Sequence, residues 1–498
     1  MRLKLRLESP TPRQWHITLL QRLARLPDVT IGVDPTSGQS SRPAGAAFLF
    51  QLEARLYGLP HDGPAGPVPL SALAPFFNDE PAEVTLDLCG DAPEDKGRVW
   101  RLLFDGVAGE AALFSILLAG RVPQAAILEG TSVIATARLG TEYGGIALAS
   151  FEDAVARAST LIVAAVGGGA SERLPSLPEK NDGYPVSRPP TAPQLAQAAV
   201  KRVRRRIVQQ LYRLCCNSPH WRVGWRRLDG PDLIDLRRHP PTPWQNLPDD
   251  GSRFYADPFP IVHQGVLTLF VEDYEHRLGK GVISAVTFDA NGPIGRPRPV
   301  LEQPGHLSYP FVFESEGEMW MIPESCSART VDLFRATDFP GGWVKEATLL
   351  SNITASDATI VEYAGNWWLF ATVRDGGGSF SDALYLWSAP HFRGPWTPHK
   401  HNPVLIDIAS ARPAGRMIQR NGVLMRPVQD CRRGYGAALG IARVTRLDTE
   451  GFEQEVESLI GPGPAWPGRR LHTLNTAGGL EFIDGSAWSN RWVRRRKT

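Results

Sequence analysis

The sequence predicts an α/β N-terminal domain followed by an all-β, five-bladed β-propeller. Strand-like and helix-like segments alternate through the first 170 residues, a proline-rich stretch interrupts them, and five segments of the second half repeat one pattern. At 498 residues and 54.6 kDa the chain exceeds one ordinary domain. The expected division is 1–170 (α/β), 171–220 (linker and basic helix) and 221–490 (propeller).

In the first part, "LKLRLE" (3–8), "TIGVD" (30–34), "EVTLDLCG" (83–90) and "STLIVAAV" (159–166) read as strands. "PRQWHITLLQRLARLPDV" (12–29) places Trp15, Leu19, Leu20, Leu23 and Leu26 on one helical face, and "FEDAVARAS" (151–159) is a second helix. "VGGGA" (166–170) reads as a turn. With no GxGxxG or GxxxxGK[ST] in the chain, no nucleotide cofactor is expected. Pro175, Pro178, Pro185, Pro189, Pro190 and Pro193 mark 171–198 as extended or disordered. The helix that follows (194–216) carries a basic stripe, read as a solvated face, with contact to an acidic membrane surface or to nucleic acid as the alternative. The basic tail 491–498 is read likewise.

Composition bounds the partners. Lys+Arg is 54 against Asp+Glu 52, which gives no electrostatic reason to expect nucleic acid. Cys89, Cys215, Cys216, Cys326 and Cys431 form no CxxC pair and no ligand spacing with histidine, so no metal is expected. That scatter and an N-terminus without an apolar core segment lead to the expectation of a cytoplasmic protein. Fourteen Trp and ten Tyr, mostly in the second half, suit a β-rich protein and are common in carbohydrate-binding folds.

The repeat carries the chemistry. "YADPFPIVHQGVLTLFVED" (from 255), "LSYPFVFESEGEMWMIPES" (307), "ASDATIVEYAGNWWLFATV" (355), "SARPAGRMIQRNGVLMRPVQD" (410) and "LHTLNTAGGLEFIDG" (471) each read as a rim residue, a strand, a tight turn and a returning strand. The rim residues Asp257, Tyr309, Asp357, Arg412 and His472 lie 52, 48, 55 and 60 positions apart. An antiparallel return brings the end of the second strand beside the start of the first. One mouth of the channel should therefore collect Asp257, Glu272, Tyr309, Glu324, Asp357, Arg412, Gln429, Asp430 and His472. Crowded carboxyls push one another's pKa values apart, which is what glycosidic chemistry needs of its acid and its base. The alternative is that these residues only bond one blade to the next.

"YADPF" with the returning "FVED" resembles the first blade of the furanosidase-type propeller glycosidases. That resemblance implies Asp257 as base or nucleophile and Asp357 as the carboxylate that positions the sugar and tunes the acid. The motifs "HLSYPFVFESEGEMWMIPES", "DATIVEYAGNWWLFAT", "GPWTPHKHNPV", "ARPAGR", "RPVQD" and "LHTLN" resemble the propeller-like N-terminal domain of glucosamine inositolphosphorylceramide transferases. The glycosidases supply their acid from a later blade, where this chain has Arg412; the acid here would be Glu324 or Glu272. An arginine at that place suits a phosphate or carboxylate, so Arg412 and His472 are expected to bind the substrate, with Glu272, Tyr309, Gln429 and Asp430 beside them. "VTLDLCGDAPEDKGRVWRLLFDGV" (84–107) resembles a formyltransferase-type domain, but no Asn-x-His occurs in the first 200 residues, which implies a degenerate one.

The leading expectation is a bacterial enzyme acting on a sugar nucleotide or glycan in cell-surface glycan assembly. Its catalytic residues would be Asp257, Glu324 and Asp357. An exo-acting glycoside hydrolase with the same carboxylates, or a non-catalytic glycan-binding propeller, are the alternatives.

Overall fold

A computed structural model describes residues 1–7, 12–34, 45–60, 62–78, 80–90, 92, 97–169, 173–175, 177, 190–289 and 291–490. Its N-terminal sheet runs in the order Thr30–Asp34, Arg2–Arg6, Val84–Asp87, Arg98–Phe104, Gln124–Glu129, Ser132–Arg138. The first four strands are parallel and the last two antiparallel. Helices Gln14–Leu23, Ala46–Tyr57, Glu110–Leu118 and Ala147–Val166 complete the unit.

One expected strand is not there. Residues 159–166 continue the helix Ala147–Val166, which packs against the other three helices and the strand Ser132–Arg138. Seventeen of its twenty residues are buried, so no polar face remains to display a 3.6-residue period. A short apolar run then reads equally well as a strand. Most of 171–190 and all of 491–498 lie outside the described residues. The basic helix spans Ala192–Cys215, with Pro193 in its first turn and the Thr191 amide donating to Gln194 Oε1 at 2.8 Å.

The second half is a five-bladed β-propeller. Blade one is built on Arg253–His263, Val266–Glu275 and Lys280–Asp289, and blade two on Ser308–Ser315, Glu318–Glu324, Thr330–Asp338 and Gly341–Ser351. Ala355–Tyr363, Asn366–Val373 and Ala383–Ala389 make blade three. Blade four holds Ile418–Arg420, Val423–Asp430, Ala438–Asp448 and Gly451–Ile460. In blade five, Leu474–Ala477 and Leu480–Ser486 pair onward with Trp221–Arg227 and Gln245–Asn246, from before blade one. The ring is thus closed by both ends of the propeller segment, and only the short outer edge of each blade is left unpaired.

The two halves are joined through blade three. Arg157 Nη2 meets Asp382 Oδ1 at 2.8 Å with both side chains fully buried, and Arg138 meets Asp407 at 3.0 Å. The Gly140 amide donates to Asp382 Oδ2, while Glu142 Oε1 accepts the Ser379 hydroxyl and the Phe380 amide at 2.5 and 2.8 Å. Ala383 and Ile406 belong to the same apolar core as the N-terminal helices.

Candidate active site at the channel mouth

Register brings the rim together. Ala256 pairs with Glu272, Ser308 with Glu324 and Ser356 with Thr372, so each second strand ends beside the rim residue of its own blade. Each pair is followed by a β-bulge, and the next residue stands at positive φ: Asp257 +49°, Tyr309 +42°, Asp357 +55°. Non-glycine residues adopt that conformation rarely, and bulges re-aim side chains at sheet rims.

The bulged amides are satisfied across blade boundaries. Asp484 of blade five accepts the Asp257 amide at 2.8 Å, Asp257 accepts that of Tyr309 at 3.1 Å, and Glu324 accepts that of Asp357 at 3.0 Å. A carboxylate of one blade therefore caps the strained turn of the next. The caps meet the requirement that a buried N–H find a partner.

Four of the nine expected residues, Tyr309, Asp430, Arg412 and Gln429, are engaged by neighbouring groups of the protein. Tyr309 is fully buried; its hydroxyl bonds Thr359 Oγ1 at 2.9 Å and accepts the Gly415 amide at 2.8 Å, which ties blades two, three and four together. Asp430 receives Arg432, two residues onward, at 2.9 and 2.8 Å. Arg412 turns its charge inward: Nε and Nη2 donate to Asp357 at 2.6 and 3.3 Å, and Nη1 to the Ser381 hydroxyl at 3.3 Å. The bidentate geometry anticipated for a substrate anion is taken by Asp357. Gln429 Nε2 completes this corner, donating to Asp357 Oδ2 at 2.9 Å.

The other carboxyls experience a different field. Asp257 is buried, which raises its carboxyl; His472 opposes the rise, Asp484 reinforces it, and the value comes to about 6. Glu324, its side chain 13% exposed, is driven up to about 8 by burial and by the charge of Asp357, with Arg412 opposing from 3.7 Å. Glu272 is raised well above the usual carboxylate range by burial and then by the charges of Asp257 and Glu324, and His306 Nε2 lies 3.3 Å from it. One rim thus holds an Asp357 paired with arginine beside carboxyls raised to different extents.

His472 anchors the far side. Its Nδ1 is 2.5 Å from Asp484 Oδ1 and its Nε2 3.5 Å from Asp257 Oδ1; burial lowers its pKa, but the two acids outweigh burial and raise it. The ring stacks on Trp221 at 4.3 Å. Asp257, His472 and Asp484 offer ligand atoms within 4.8 Å of one another, a spacing that could hold a metal ion. Tyr435, absent from the expected set, is half-buried between His472, at 5.2 Å ring to ring, and the Arg412 guanidinium, 4.7 Å from its ring. It lies in the turn after blade four's second strand, outside the repeated rim positions; the aromatic in "CRRGYG" is its one sequence signal. Thr473, whose hydroxyl donates to Asp257 Oδ1 at 3.1 Å, could have been found as the neighbour of a rim position.

Residues 246–481 match the family model described as glucosamine inositolphosphorylceramide transferase 1, N-terminal. The chain is 34% identical to glucosamine inositolphosphorylceramide transferase 1 of Oryza sativa subsp. japonica over 248 residues, 47% of this chain and 33% of that protein. The protein of the same name from Arabidopsis thaliana is 33% identical over 248 residues, covering 47% and 32%. The matched stretch spans about a third of these curated relatives. Among solved structures, a family 117 glycoside hydrolase of Zobellia galactanivorans aligns over 55% of this chain and 92% of that one, at 12% identity and a TM-score of 0.35.

Proposed function

We propose that the channel mouth is a carbohydrate-active centre working at the anomeric carbon of a sugar, with Glu324 as general acid, Asp257 as base or nucleophile and Asp357 as the positioning carboxylate. The separation of two carboxyls on one rim carries this reading. With Asp257 near 6 and Glu324 near 8, the first is mostly ionised and the second mostly protonated at neutral pH. Glu324 is the more exposed of the two, as a group that must reach a leaving oxygen has to be. Glu272 is the second candidate acid.

The substrate class we propose is a glycan or an activated sugar such as a sugar nucleotide, used for glycosyl transfer in cell-surface glycan assembly. The plant relatives' name, that of a transferase, favours transfer over hydrolysis by the same carboxylates. Because Arg412 is paired with Asp357, a donor phosphate would be held by other groups. A cytoplasmic setting is in keeping with Cys215, Cys216, Cys326 and Cys431 standing outside any disulfide. The N-terminal domain, in this reading, performs no formyl transfer and serves to hold the Ser379–Asp382 segment beside Arg412.

One observation favours the second reading, a glycan-binding propeller without turnover: Asp257 and Glu324 both cap amides of the next blade. Turnover separates the two. The purified protein is to be screened against sugar nucleotides and aryl glycosides, and the rate of any conversion followed from pH 5 to 9. A catalytic rim should give a bell-shaped kcat/KM with limbs near 6 and 8. Saturable binding of a sugar without conversion would establish the binding reading instead.

A further inference from the structure

The helix Ala192–Cys215 leaves an apolar face without a partner. Among the described residues, seventeen large hydrophobic side chains are exposed, and six of them lie on this one helix: Val200, Val203, Ile207, Val208, Leu211 and Leu214. At 3.6 residues per turn, Val200, Val203, Ile207, Leu211 and Leu214 fall within an arc of about 80°. The opposite side of the helix is the one that docks. Leu195 and Ala198 are buried there, Arg202 meets Glu53 at 2.7 Å, and Arg206 lies over the Tyr57 ring at 5.5 Å.

Charge says what suits the free face. The helix contains no Asp or Glu; Arg204 borders the apolar stripe and Lys201 lies one step further round, while Arg205 turns to the docked side and donates to the Gly144 carbonyl at 2.7 Å. At the C-terminal end of the helix Tyr212 packs edge-on against Trp488 at 5.6 Å; Trp488 is 62% exposed, with Arg469 over its ring. Ser489 and Asn490 pair with Asn217 and Cys216, so the chain passes the end of this helix just before the sequence "RWVRRRKT". An apolar stripe edged by cations and free of acids is the pattern of a helix lying in the plane of a bilayer surface. A solvated helix would have polar residues here, and a nucleic acid would have no use for five aliphatic side chains.

We propose that this helix is a peripheral membrane-docking element. It lies along an anionic bilayer with Val200, Val203, Ile207, Leu211 and Leu214 in the acyl boundary and Lys201 and Arg204 at the headgroups. Docking would hold the whole chain at a membrane surface and restrict the propeller to substrates found there. The inference is independent of the chemistry proposed for the rim.

The test uses the full-length chain and two kinds of vesicle, phosphatidylcholine alone and phosphatidylcholine mixed with phosphatidylglycerol, in a flotation assay. The chain should float with the mixed vesicles and much less with the neutral ones, and added salt should weaken the association. Ile207→Glu/Leu211→Glu removes two aliphatic groups from the bilayer-facing stripe and should weaken binding by at least about 100-fold. Lys201→Glu/Arg204→Glu should weaken it by at least about 10-fold. All four side chains are exposed, so circular dichroism and melting of both variants should match the parent. Failure to float with mixed vesicles would overturn the proposal, as would binding indifferent to the Ile207/Leu211 change. So would a dimer in solution that this variant dissociates, because a second copy would then cover the face.

Discussion

Glu324→Gln isolates the proton of Glu324. The side chain caps the Asp357 amide through Oε2 and stands 3.7 Å from Arg412. Glutamine keeps the shape and one carbonyl oxygen, so the cap can survive while the titrating group is lost. In the unfolded chain a glutamate ionises near 4.5; in the folded protein burial and Asp357 delay this to about 8. Across that window the folded state binds more protons than the unfolded one, so stability falls as pH rises and levels off above about 8. At about 1.36 kcal/mol per pH unit, the parent loses on the order of 5 kcal/mol that the variant does not. Melting temperatures of parent and variant, measured every half unit from pH 4 to 9, should begin close together and diverge in the variant's favour. Parallel curves would refute the claim that this carboxyl is held protonated in the fold.

Asp257→Asn should leave the propeller folded, with a loss on the order of 1 kcal/mol for one weakened hydrogen bond by denaturant titration, because the amide oxygen can replace one carboxylate acceptor. Arg157→Met leaves Asp382 buried without its cation and should cost about 3–5 kcal/mol in the same measurement, while adding Asp382→Leu should restore much of it. Gly415→Ala should be poorly tolerated. Its φ is +127° and an added Cβ would stand 2.1 Å from the Leu474 carbonyl oxygen, a backbone atom that cannot step aside; soluble yield and melting temperature read the effect.

How much of this was legible in the sequence depended on whether a feature repeats. Asp257, Tyr309 and Asp357 recur at 52 and 48 residues with a returning strand behind each, so the blades and the meeting of Glu272 and Glu324 with the rim follow from spacing. The outer strands of blade five lie before the first repeat, at Trp221–Arg227 and Gln245–Asn246, and their pairing with the far end of the chain leaves no local period. Residues 159–166 read as a strand because near-complete burial erases the difference between a strand and a helix. The partner of Arg412 was hidden for another reason. A guanidinium suits an internal aspartate and a substrate phosphate equally, and only the position of Asp357, 55 residues earlier, decides between them. Tyr435 and Thr473 were missed because neither occupies a rim position.

Turnover per folded molecule tests the catalytic rim most directly. Once a substrate is found, kcat/KM is to be measured at pH 7 for the parent, Asp257→Asn, Glu324→Gln and the double variant, each normalised to the folded fraction from its own melt. If the two carboxyls act as base and acid on one sugar, each single change should lower the rate by about 100-fold or more, and the double should be little worse than either single. Rates that stay near the parent's in both single variants would contradict it, and would leave Asp257 and Glu324 as caps that hold one blade to the next.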